Sequence, residues 1–272
     1  MKQGEKISAF WSSLNKATKP KDCIIQLKNL GPDLPSYATR SDKMAEIRRE
    51  HHEKLLMEGL HKDKRNQIIT EILNKIQPDD KLNELGQETL GELVNEEGVA
   101  LALCESANGS SPGLDGITYE FYNMLQQIKQ EDKKKKYKGL DIVWTLTTVY
   151  GDIEEFRVDP KTSFTEGWMC PIYKKGDRSL IGNYWPMTLL NMDYKIYTKD
   201  KSIKLASTIP QIIHPSQMGF ILGRSIANQV RLAKIMVKYA ECKEENGLLI
   251  ALDQEKVYNK LCHNYLDKTL EA

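Results

Sequence analysis

The 272-residue sequence predicts an α+β fold, mostly helical at first and joined later by short strands. Three observations predict it. Apolar residues recur at helical spacing among charged ones through the first hundred positions. Compact apolar or extended runs appear only afterwards, at 168–173, 183–191 and 248–252. The composition, 40% apolar and 28% charged, is globular and excludes a disordered or collagenous chain. No run approaches the roughly 20 apolar residues of a membrane-spanning helix. The first eleven residues lack the apolar core of a secretory signal. A nuclear or cytoplasmic protein is expected, neither secreted nor membrane-bound.

Each element has its own warrant. Ser41 is placed to cap a helix running to about residue 60, with Met44, Ile47, His51 and Leu55 on one face. A second helix fits 64–76, striped by Ile68, Ile69, Ile72 and Leu73, before Gln77-Pro78-Asp79-Asp80 breaks it. Asn95 then opens a third, with Glu96 and Glu97 favouring its positive end and Val99, Leu103 and Cys104 facing inward. Ser110-Ser111-Pro112-Gly113-Leu114-Asp115-Gly116 is a compact turn, because Pro-Gly and Asp-Gly both punctuate a chain. A short helix follows with Tyr119, Tyr122 and Leu125. The charge run 131–138 reads as an exposed helix end or loop.

Residues 168–173 form a strand candidate, closed by the turn Lys174-Lys175-Gly176-Asp177. Pro186 places the extended piece 183–191 at an edge or in a loop. Residues 193–206 read as helix, Pro210 and Pro215 as brackets of a loop, and Ser225 as the start of a helix to about residue 245. That helix is striped by Ile226, Val230, Ala233, Val237 and Ala240 and stopped by Asn246-Gly247. Leu248 to Leu252 reads as a buried strand with Asp253 at its end, and helix resumes near His263.

Charge is balanced overall, at +1, which is not the footprint of a nucleic-acid binder. Its distribution is uneven. Residues 171–238 hold eleven Lys/Arg against three Asp, a net +8 between two acidic flanks. Such a block either contacts phosphates or is a solvated surface, and charge alone favours the latter. The five scattered cysteines, with no Cys-x-x-Cys, read as reduced, buried thiols. His51 and His52 point about 100° apart on a helix and no other histidine sits at ligand spacing, so no zinc site is expected.

An Asp ending a buried strand can hold a metal, although alone it is more often a cap or turn residue. Five segments in one order add to this. They are Asn95 onward with Pro112-Gly113-Leu114-Asp115-Gly116-Ile117; Pro171-Ile172-Tyr173-Lys174-Lys175-Gly176-Asp177; Asn183-Tyr184-Trp185-Pro186-Met187-Thr188-Leu189-Leu190-Asn191; Gln217-Met218-Gly219-Phe220-Ile221-Leu222-Gly223-Arg224-Ser225; and Ala251-Leu252-Asp253-Gln254-Glu255-Lys256-Val257-Tyr258. Together they resemble the reverse transcriptase of LINE-type (non-LTR) retrotransposons over about 95–272. The resemblance implies the fingers and partial palm of a right-hand polymerase fold over 95–272, behind a helical linker at 1–94.

It also implies chemistry. The family joins nucleotides with two Mg²⁺ about 4 Å apart, acting on an RNA template, a DNA primer and dNTPs. Asp253 matches the bridging metal ligand, and the Gln254 carbonyl a further ligand at the nucleotide site. Tyr258 matches the aromatic gate that selects dNTPs, or else packs on the palm sheet. Lys174 matches the lysine that neutralises incoming phosphates, or is a solvated turn lysine. Lys175 and Arg224 are candidate nucleic-acid contacts, or ordinary surface charges. Gly113 and Asp115 belong to a loop that would line the template path, or is a turn only.

Departures from the family pattern point the other way. Trp185 stands where the family carries the arginine that clamps the triphosphate, and tryptophan has no bidentate fork. Asn259, Val257 and Leu222 replace a further Asp, an Ala and a Pro of the pattern. The carboxylate pair of the second palm motif has no counterpart, since the sole Asp pair, Asp79-Asp80, lies far upstream. The expectation is therefore a truncated RNA-directed DNA polymerase domain, inactive as it stands. The alternative is a degenerate remnant that binds RNA or a protein partner.

Overall fold

The computed structural model describes residues 23–29, 36–57, 62–78, 81–134, 139–244, 246–254 and 257–271. The pair Asp79-Asp80, the charged residues 135–138 and Glu255-Lys256 lie outside them. The described residues are mostly helical with two small sheets, in keeping with the α+β expectation. By its internal contacts the chain divides into two units, one of Met1–Glu58 with Cys170–Met187 and the other of Gly59–Met169 with Thr188–Ala272.

The first unit is built on β1 (Leu27–Asn29), β2 (Ser36–Ala38) and α1 (Ser41–Met57). The two strands are antiparallel, with Leu27 opposite Ala38 and Asn29 opposite Ser36. Leu27 is buried with Ile181 and Tyr184, and the Met44–Ile47 side of α1 packs against them. The face of α1 foreseen from its spacing is thus the one that meets the core. The Lys28 N–H donates to the Ser179 carbonyl at 2.8 Å and ties β1 to the turn that follows β3.

The second unit carries α2 (Lys62–Leu73), α3 (Glu84–Gly91), α4 (Glu96–Cys104), α5 (Tyr119–Lys134) and α6 (Ile142–Phe156), then, beyond the strands, α7 (Met192–Ile212) and α8 (Ile226–Lys243). The asparagine foreseen as a cap is one: Asn95 Oδ1 accepts the Gly98 N–H at 2.8 Å, and Asn83 caps α3 in the same way at Gly86. Val99, Ala102 and Leu103 of α4, Leu146 and Tyr150 of α6, and Met192 and Ile196 of α7 form the core. Tyr150 is fully buried, and its hydroxyl donates to the Asp193 carbonyl at 2.7 Å. Glu154 of α6 accepts the Val94 N–H at 2.9 Å and pairs with Lys201 of α7.

In chain order, α6 is followed by β3 (Gly167–Tyr173) and β4 (Tyr184–Leu190), which pair with each other. Their connection is short, with a 3₁₀ turn at Ile181–Asn183, and the Lys174 N–H closes it on the Asn183 carbonyl at 2.9 Å. A crossover needs a dozen residues or more, so this is a hairpin. Pro186 sits in a two-stranded sheet, where every strand is an edge and a missing donor costs least.

Four expectations need correction. None of the five cysteines is buried, and Cys104, turned about 100° around α4 from the buried Leu103, is exposed rather than facing inward. Pro210 lies inside α7 rather than beginning a loop. Its missing N–H is tolerated so close to the helix end, where the Ile213 N–H still reaches the Ile209 carbonyl at 3.1 Å. Residues 248–252 form no strand, and Leu252 is 91% exposed. A strand needs a neighbour for its backbone groups, and among the described residues this run pairs with none. The striped helix α8 buries none of its residues. It also stops at Glu244, which adopts a left-handed φ of 56°, before Asn246-Gly247. Helix returns at α9 (Val257–Lys260) and α10 (His263–Glu271).

Candidate nucleic-acid interface

The β3–β4 hairpin gathers two of the five motif segments into one object. Lys174 and Lys175 are exposed at its turn. Asp177, the acid in that turn, is exposed and bonded to its own loop. Its carboxylate accepts the backbone N–H and the hydroxyl of Ser179, both at 2.8 Å, which hold its pKa below the usual range. Gly176 takes a φ of +92°, and a Cβ there would meet the Asn183 amide at 2.8 Å. Arg178 stacks over the Tyr173 ring at 4.2 Å. The turn thus presents three cations, Lys174, Lys175 and Arg178, against one carboxylate.

A second cluster surrounds Gly113 and Asp115. Asn191 follows β4 and is 4% exposed. Its Oδ1 accepts the Asp115 N–H at 3.4 Å, and Asp115 in turn accepts the Ile117 N–H at 3.0 Å. Gly113 lies so close to Asn191 that a Cβ would fall 2.6 Å from the Leu190 carbonyl carbon. Lys195 donates to the Ser111 carbonyl at 3.0 Å, and burial lowers its pKa. The loop is therefore docked on the start of α7, more than a free turn. Beside it opens a cleft of about 510 Å³ lined by Asp115, Phe156, Arg157, Phe164, Asn191 and Asp193 among others. Burial pushes the Asp193 carboxyl above the usual range. This acid-rich lining has the wrong sign for a phosphate.

Arg224 is occupied. Its Nη1 donates to the carbonyls of His214 and Gln217 at 2.7 and 2.8 Å, and its Nη2 to those of Ile213 and Pro210 at 2.9 and 3.3 Å. These carbonyls include the end of α7, so the guanidinium works as a C-terminal cap and loop clamp.

The remaining candidates lie apart. Asp253 and Gln254 are exposed and outside secondary structure, and Tyr258 on α9 is 85% exposed. Among the described residues no three His, Cys, Asp or Glu are grouped to hold a metal ion. A two-Mg²⁺ centre needs several anionic oxygens, and the described residues around Asp253 do not fit one.

Sequence reasoning saw Trp185 only as a lost arginine. In the structure it is exposed with Lys174 Nζ 5.3 Å from its ring centroid. Period-2 alternation along β4, which sets Trp185 and Met187 opposite the buried Tyr184, could have found it.

No family model matches the sequence. Over 191 residues, 70% of this chain, it is 30% identical to the "Transposon TX1 uncharacterized 149 kDa protein" of Xenopus laevis. Part of this chain is thus related to a transposon protein. The match spans 14% of that protein's length. Among the described residues no helix is long and apolar enough to cross a membrane.

Proposed function

We propose that the chain is a segment of a non-LTR retrotransposon reverse transcriptase, its fingers and first palm motif, which holds nucleic acid without carrying out nucleotidyl transfer by itself. One observation carries the reading. Two sequence segments that resemble that family, around Lys174 and around Trp185, form a single hairpin whose turn exposes Lys174 and Lys175. The kinship to a transposon protein and the net +8 of residues 171–238 support it. The partners proposed are RNA template, DNA primer and dNTP, with Mg²⁺ for the complete enzyme. The weaker reading, a remnant that binds only a protein, is favoured by the exposed apolar side chains of α8.

The test has two parts. The chain with primed RNA, dNTPs and Mg²⁺ is expected to give no extension, because among the described residues Asp253 belongs to no group of three or more His, Cys, Asp or Glu. Extension abolished by Asp253→Asn would overturn that. Filter binding of single-stranded RNA is expected to weaken with salt and with Lys174→Glu/Lys175→Glu. Binding indifferent to both would remove the nucleic-acid reading.

A further inference from the structure

The hairpin leaves an aromatic surface that phosphate contacts do not use. Trp185 is 57% exposed, and Met187, two residues on and on the same strand face, is 51% exposed. Lys174 Nζ stands over the Trp185 ring, and Lys175 is exposed beside it. A large ring held by a cation and otherwise open to water invites a flat partner. Charge selects which one. The turn carries Lys174, Lys175 and Arg178 against Asp177 alone, so the surface offered is cationic and aromatic together. Single-stranded nucleic acid matches both properties, with phosphates for the lysines and a base for the ring.

We propose that Trp185 is a stacking platform for an unpaired base, with Lys174 and Lys175 contacting the adjoining phosphates. The proposal rests on the nucleic-acid reading above and adds a base contact to it. Where the resembled family has an arginine for phosphate, tryptophan trades a charged fork for a π face. It keeps the ligand's class while changing the part of it that is held. The contact is tolerant of sequence, since every base has such a face.

Fluorescence anisotropy of the full chain tests this with two labelled probes, a 12-nucleotide oligothymidylate and an abasic oligonucleotide of equal length. Trp185→Ala is expected to weaken oligothymidylate binding about tenfold, Trp185→Phe to restore most of it, and the abasic probe to bind all three proteins alike. Two results would overturn the stacking contact: unchanged oligothymidylate binding by Trp185→Ala, which would leave the face to an apolar protein partner, or equal losses on both probes. Neither harms the broader reading as long as the wild-type chain binds. Absence of wild-type binding to either probe would overturn both.

Discussion

Asn191 shows what one side chain can settle. It occupies the N-cap position of α7, yet its side chain makes no bond to that helix and reaches to the Asp115 N–H instead. Gly113 is required by this contact rather than by its own dihedrals, whereas Gly116 is required by its φ of +70°. The two substitutions should therefore differ. Gly113→Ala is expected to cost about 1–3 kcal/mol through overpacking, and Gly116→Ala about 1 kcal/mol through backbone strain. Urea denaturation midpoints check both. The Pro-Gly and Asp-Gly punctuation made this turn legible. Its anchor, 76 residues away, was not, because a sequence does not say which distant amide a loop will meet. Asp193, in the cleft beside it, gives a pH prediction. Burial raises its folded pKa, so the folded state binds its proton more tightly than the unfolded state does. Stability from this group is full below the unfolded value near 3.8 and is lost as pH rises through the folded value. Asp193→Asn should accordingly raise the melting temperature at pH 7, and the gain should vanish toward pH 3.

At the level of elements, buried and exposed helices ask for opposite outcomes. Leu103 of α4 is 1% exposed inside the core, and Leu103→Ala is expected to cost about 2–5 kcal/mol. Ile235 of α8 is 64% exposed, and Ile235→Ala should stay within about 0.5 kcal/mol. Periodicity alone had made the two helices look alike. An apolar stripe announces a face, not what covers it, and the same gap explains residues 248–252. Helix α6 is hard to see in the sequence because Val143, Thr145, Thr147, Thr148 and Val149 are β-branched, and packing of Ile142, Leu146 and Tyr150 overrides that preference. The short strands β1 and β2 gave too little pattern to see. The end of α7 rests on Arg224, whose planar fork serves four carbonyls. Arg224→Lys should not replace it, and both Arg224→Lys and Arg224→Ala are expected to lose about 1.5–3 kcal/mol.

For the whole molecule, the question is where attraction to a polyanion comes from when the chain is nearly neutral. A net charge of +1 gives no long-range pull, so binding must draw on local placement. The hairpin turn supplies it, and total charge can be separated from position by experiment. Lys174→Glu/Lys175→Glu and Lys54→Glu/Lys75→Glu change the net charge equally, and all four lysines are exposed. Each lost phosphate contact on a single strand lowers the slope of log K against log salt by about 0.7. The hairpin pair should therefore flatten the slope by about 1.4, while the Lys54/Lys75 pair, lying within the net-acidic first 170 residues, should keep the wild-type slope. Equal flattening by both pairs would make the attraction a property of net charge and deny the hairpin its role. A difference confined to Lys174 and Lys175 would tie the salt dependence to the same turn that holds Trp185.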